Sequence, residues 1–197
     1  MIGDTSMEGM GMGIALVYEA HSISTDNEAG IATGWLPGEL SVEGQRQAVL
    51  LGERRRDDGI AAVFVSDLHR AVQTAEIAFR GSSVPIVSDQ RLRECNYGTL
   101  NGAPVEQVAR ERARHVETPF PGGQSYRDVV DQMAGFLEEL AGSRDAERVL
   151  VVSHSANQWA LDCLLNGAML KDLVGAPFAW REGWEYFLPA GWQRHSD

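Results

Sequence analysis

The apolar positions along this chain switch between two periods. Ile14-Ala15-Leu16-Val17-Tyr18 is a short unbroken apolar run, as expected of a strand buried on both faces. Ala61-Ala62-Val63-Phe64-Val65 and Val149-Leu150-Val151-Val152 repeat it. Helical spacing fills the gaps. Gly44, Ala48 and Leu51 share a face behind Ser41, a good N-cap. Asp67 is expected to cap a helix carrying Leu68, Val72, Ala75 and Phe79 on one side. Ser125-Tyr126-Arg127-Asp128 has the form of a capping box ahead of the stripe Val129, Met133, Phe136, Leu137 and Leu140. A helix with Trp159, Leu161, Leu164 and Leu165 follows the third strand, and Asn166-Gly167 ends it. Val84 to Val87 reads as an edge strand, because Pro85 cannot donate to a ladder. Val105 to Arg114 reads as a surface helix and Trp184 to Leu188 as a last strand. Trp180, Trp184 and Trp192 are expected to close the C-terminal part of the core.

Buried strands alternating with helices predict an α/β fold, a largely parallel sheet covered on both faces. No Pro- or Ser-rich linker divides the chain. Its 197 residues suit one compact domain, with residues 1–13 a flexible, Gly- and Met-rich N-terminus. Met7, Met10 and Met12 leave the translation start open. Composition changes the picture in one respect. Apolar residues at 44% and charged ones at 23% are ordinary for a globular protein and exclude a disordered chain. The net charge of −11, however, argues against nucleic acid or an anionic membrane as partner. An anionic ligand then needs a local cluster of positive groups. Cys95 and Cys163 lack disulfide or metal spacing and are read as packing thiols. No apolar run is long enough to span a bilayer, and the first residues carry Asp4 and Glu8 but no Lys or Arg. A cytoplasmic protein is expected.

In parallel sheets ligands sit beyond the carboxyl ends of the strands. His21 and His154 each stand there, after the first and third buried strands. Arg70 lies one helical turn past the second, and Glu94 follows a strand and a turn. Two imidazoles, a guanidinium and a carboxylic acid suit phosphoryl transfer. A neutral imidazole can attack phosphorus, cations can neutralise the oxygens, and a carboxylic acid can protonate the leaving alcohol. A metal site built from His21, Glu19 and His154 is weaker, since no ligand pair lies on one helix; no metal and no cofactor are expected.

At these residues the chain resembles the histidine phosphatase superfamily, in the branch that includes cofactor-dependent phosphoglycerate mutase. His21 and Asn27 keep the family spacing, with Ser24 at the family's Ser/Thr position. Thr33-Gly34-Trp35 and Leu40 to Gly44 match the loop and helix start that follow. Ser66 to Ala75 matches the segment of the second phosphate-binding Arg, here Arg70. Leu92-Arg93-Glu94, with Tyr97, Gly98 and Gly102, matches the proton-donor segment. Pro121 to Ser125 and Val151 to His154 match two further elements. The resemblance implies a three-layer α/β/α sandwich over residues 14–197, with a small cap around 95–125. It implies a metal-independent phosphomonoesterase acting on a small phosphorylated metabolite. His21 would be the nucleophile, Arg70 and His154 would hold the phosphoryl oxygens, and Glu94 would be the proton donor. Asn27, Ser24, Thr33, Tyr97, Arg93 and Ser155 would be the substrate-binding set. Ser24, Thr33 and Tyr97 are equally at home as loop-capping or cleft-rim residues. Family relatives often dimerise, so a homodimer is an open expectation.

The departures count too. Ala20 stands where the family has Arg, Ser22 where it has Gly, and Ile23, Ser155 and Asn101 replace other common residues. A missing phosphate clamp typically costs on the order of 10²–10³ in rate. Three readings follow. Arg93, His69 or another Arg compensates; or Ala20, Ser22 and Glu19 shape a pocket for an unusual substrate; or the fold survives as an attenuated binding or regulatory module. A phosphomutase is a further alternative, but it would need an additional basic cluster. Arg54-Arg55-Arg56-Asp57-Asp58 reads as a solvated helix end, and His115 and His195 have no supporting context.

Overall fold

The computed structural model describes residues 13–144 and 147–194. Of the expected flexible N-terminus, residues 1–12 lie outside the described residues, and so does His195. Gly13 is instead the first residue of a strand. The first half of the chain runs β1 (Gly13–Ala20), α1 (Thr25–Glu28), β2 (Ile31–Ala32), α2 (Val42–Arg55), β3 (Ile60–Ser66) and α3 (His69–Ala78). Then come β4 (Ile86–Asp89), β5 (Ala103–Pro104), α4 (Val105–Glu111) and α5 (Tyr126–Ser143). Last are β6 (Arg148–Ser153), α6 (Ser155–Asn166), α7 (Leu170–Gly175) and β7 (Trp184–Pro189).

The main sheet has the order β4-β3-β6-β1-β7. All pairings are parallel except β7 with β1. The period-2 pattern of β1 explains the layers. Leu16 and Tyr18 pack with Val129, Met133, Leu137 and Leu161 of α5 and α6, while Val17 packs with Ala71 and Ala75 of α3. Both sheet faces are thus covered, the α/β sandwich that the buried runs predict. Ser41 caps α2 by accepting from the Gly44 N–H at 3.1 Å, and Ser125 and Asp128 close a capping box on α5. Gly167, at φ 69°, ends α6 in the left-handed conformation.

Four local expectations are corrected. Asp67 does not cap α3. Leu68 holds that position without a side-chain cap, and the Asp67 carboxylate instead accepts from Arg93 Nε and Nη2 at 2.7 and 2.5 Å. The expected helix from Val105 to Arg114 tightens after Glu111 into a 3₁₀ turn over Arg112–His115. The stretch from Arg54 to Asp58 is not a solvated end, since Arg55 is buried and its Nη2 donates to Glu19 Oε1 at 2.6 Å. Trp184 is in the core and Trp192 packs against it, but Trp180 is 55% exposed.

Two features gather residues at the carboxyl edge of the sheet. Register aligns Ala20 with Ser153, so the chain leaves β1 and β6 side by side. Because β7 runs antiparallel and pairs Trp184 with Tyr18, the segment entering it also arrives at that edge. The small β2–β5 pairing ties the loop after β1 to the segment that leads into α4.

Candidate active site

His21 leaves β1 with its backbone N–H donating to the Ser153 carbonyl at 2.8 Å. His154 follows β6 and precedes α6. The two rings meet edge to face, with centroids 5.0 Å apart. Arg70, on the first turn of α3, lies between them. Its Nε donates to His21 Nε2 at 3.2 Å, and its Nη2 reaches the Gly34 carbonyl at 2.9 Å and His154 Nδ1 at 3.3 Å.

These partners assign the tautomers. His21 Nδ1–H donates to its neighbour's carbonyl, Ser22 O, at 2.7 Å, which leaves the Nε2 lone pair facing the guanidinium. His154 Nε2–H donates to Ser66 Oγ at 2.9 Å, which leaves Nδ1 as the acceptor. Both imidazoles are therefore neutral. Burial, then the nearby Arg70 charge, push His21 down to about 3, despite its hydrogen bond to Ser22. The same two causes, and His21 itself, hold His154 well below the ordinary histidine range.

Arg70 is 2% exposed, and its Nη1 is buried without an acceptor. No ion pair among the described residues includes Arg70 or Arg112. A buried guanidinium with unspent donors is costly unless an anion meets it. Thr74 braces the arrangement: its hydroxyl donates to the Arg70 carbonyl at 2.8 Å and accepts from the Ser22 N–H at 3.0 Å.

Glu94 is 7% exposed and lines the same cavity, whose volume is about 460 Å³. Its Oε1 accepts from the Cys95 N–H at 2.7 Å and its Oε2 from the Ser155 hydroxyl at 3.0 Å. Trp35 Nε1 holds the Glu94 carbonyl at 2.6 Å, anchoring this segment to the loop after β1. Cys95 is fully buried and burial pushes its thiol up, which fits packing.

The remaining predicted residues divide. Asn27, Thr33, Tyr97 and Ser155 line the cavity with His21, Arg70, Glu94 and His154. Asn27 Oδ1 is engaged by the Ser24 N–H and hydroxyl at 3.0 and 2.9 Å, so its amide NH₂ is the end able to donate. Ser24 is fully buried, outside the lining, and serves this capping box. Thr33 donates to Asp26 Oδ2 at 2.8 Å. Arg93 does not line the cavity; beyond its ion pair with Asp67 it lies over the Trp35 ring, 4.6 Å from the centroid. His69 is exposed and also outside the lining, as is Glu19, which is buried against Arg54 and Arg55. His115 stacks on Phe120. Gln47, Arg112, Phe178 and Trp180 line the cavity without having been singled out for it. A spare cation and an aromatic after α7 were the available signals. Only the return of the chain to β7, and the 3₁₀ turn, bring them to the cavity. No group of three or more candidate metal ligands occurs among the described residues.

Residues 20–178 match the sequence model of the histidine phosphatase superfamily, branch 1. This chain belongs to that family. It is 30% identical over 166 residues to phosphoserine phosphatase 1 of Hydrogenobacter thermophilus, covering 80% of this chain and 79% of that protein. It is 32% identical over 151 residues to a probable phosphoglycerate mutase, GpmB, of Salmonella paratyphi B, covering 73% of this chain and 66% of that one. Among solved structures, a mycobacterial glucosyl-3-phosphoglycerate phosphatase in complex with VO3 superposes with a TM-score of 0.73 at 27% identity, covering 83% of this chain and 87% of that chain. For a histidine phosphatase, the order of the strand-end residues along β1, β3 and β6 is the feature shared between sequence and fold.

Proposed function

We propose that this histidine phosphatase hydrolyses a small phosphomonoester through a phosphohistidine at His21. The reading rests on one observation above all: the buried Arg70 guanidinium, with Nη1 lacking an acceptor, held between two neutral imidazoles. Arg70 Nε–H occupies the His21 lone pair. Phosphoryl oxygens are stronger, charged acceptors for that donor, so binding substrate releases the nucleophile. His21 Nε2 then bonds to phosphorus as the ester P–O bond breaks, and the leaving oxygen takes a proton from Glu94. Arg70, with Asn27 assisting, steadies the charge on the phosphoryl oxygens. His154 positions the guanidinium through its Nδ1 acceptor, its Nε2–H being taken up by Ser66. Glu94, now ionised, deprotonates the water that attacks the phosphohistidine. Inorganic phosphate leaves and the His21 lone pair is restored. Ser155 suits both states of Glu94, since its hydroxyl donates to a carboxylate and accepts from a carboxylic acid. Residues around 95–125, carrying Tyr97, form the cap over this chemistry.

Ala20 favours a second reading, an attenuated site that binds phosphorylated ligands. It stands where the resemblance expects Arg, and the cavity lining contains no guanidinium other than Arg70 and Arg112. One experiment separates the two. Wild type and His21→Ala are incubated with a panel of phosphomonoesters and released phosphate is measured. The hydrolytic reading expects wild type to exceed the variant by about 10³-fold or more on at least one ester. Equal release from both proteins leaves only the binding reading.

A further inference from the structure

The cavity lining combines two chemistries. His21, Arg70 and His154 form the polar cluster already described, while Ile23, Ile31, Val105, Phe178 and Trp180 make an apolar and aromatic wall. One more cation faces the cavity, Arg112, the first residue of the 3₁₀ turn after α4. It lies over the Trp159 ring, 5.2 Å from the centroid. Its Nε–H is shielded from solvent and has no acceptor. Arg112 is thus a second positive point, beside an apolar wall and without a counter-charge of its own.

The wall itself is unusual at Trp180. It is 55% exposed while lining a cavity, and it lies beyond residues 20–178, the part matched to the family. A large exposed aromatic at a cavity gains free energy when a flat apolar group covers it. A carboxylate suits Arg112 better than a second phosphate does. It brings one charge rather than two against a single guanidinium in a chain of net charge −11, and like a phosphate it still meets the guanidinium fork with two oxygens.

We infer that the alcohol released by this protein carries a flat apolar body, placed against Trp180 and Phe178, and a carboxylate held by Arg112. This rests on the phosphatase reading and names its substrate class, a phosphomonoester of a hydroxy acid with an aromatic or similarly flat body. Phenyl phosphate and para-carboxyphenyl phosphate form a matched pair of probes. Wild type is expected to favour the carboxylated ester by about tenfold or more in kcat/KM. In Arg112→Gln the ratio falls to about one, and in Arg112→Lys it is intermediate, because the charge remains without the fork. Trp180→Ala lowers kcat/KM for both esters and leaves their ratio in place. Calorimetric binding of the two alcohols, para-hydroxybenzoate and phenol, to the same proteins needs no turnover. Turnover with no preference in wild type, or a preference that survives in Arg112→Gln, overturns the subsite and spares the phosphatase reading. Absent turnover with para-hydroxybenzoate still preferred, and that preference lost in Arg112→Gln, overturns hydrolysis and retains the subsite.

Discussion

Neutral histidines set the behaviour of the site at the scale of single residues. His21 is pushed from an ordinary 6.5 to about 3, so the unfolded chain takes up its proton first as pH falls. The stability that neutral His21 contributes is therefore complete above about pH 6.5 and is lost progressively as pH drops toward 3. The slope is about 1.4 kcal/mol per pH unit for one such group. His154 shifts in the same direction. Urea denaturation of wild type and His21→Gln at stepped pH below neutrality checks this. Wild type should lose stability more steeply on acidification, and parallel curves would show that His21 titrates normally. That His21, Arg70, Glu94 and His154 line one cavity was legible in the sequence because strand ends of a parallel sheet converge. The positions of Arg112 and Trp180 were not, because nothing in their local spacing says which side of the 3₁₀ turn or of the returning chain they face.

The elements around the site depend on a buried charge cluster beside His21. Glu19, on β1 two residues before His21, accepts from Arg55 Nε and Nη2 at 3.0 and 2.6 Å and from Arg54 Nη2 at 3.1 Å. It thereby ties β1 to the end of α2. A Cβ on Gly183, whose φ is +83°, would stand 2.2 Å from Arg55 Nη2, so the chain entering β7 closes over the same cluster. Glu19→Gln leaves Arg55 buried with a weaker partner, and breaking such a pair typically costs about 3 kcal/mol. Chemical denaturation should register a loss of that order, and a change within about 0.5 kcal/mol would mean the cluster is held by something else. Strand and helix identities were readable here because their periods differ. The environment of the charged run at the end of α2 is not legible, because composition cannot tell a solvated arginine from one whose partner is contributed by a strand 35 residues earlier.

At the scale of the whole molecule, the acidic balance and the site are consistent with each other. With a net charge of −11 the protein offers little general attraction to anions, and the positive groups that face the cavity are few and local: Arg70 and Arg112. Such a distribution suits a small ligand better than a polyanion. The fold class was legible from three buried runs, since a parallel sheet needs helices on both faces. The antiparallel β7 edge, whose incoming segment brings Phe178 and Trp180 to the cavity, rests on a pairing that no local pattern announces. In the proposed reaction His21 carries the phosphoryl group during turnover. Intact-mass spectrometry after an alkaline quench, with the protein mixed with a hydrolysed phosphomonoester, tests it directly. The expected result is a wild-type species heavier by one phosphoryl group, mapped to the peptide containing His21 and absent from His21→Ala. Steady hydrolysis with no such species, or the same adduct in His21→Ala, would contradict it.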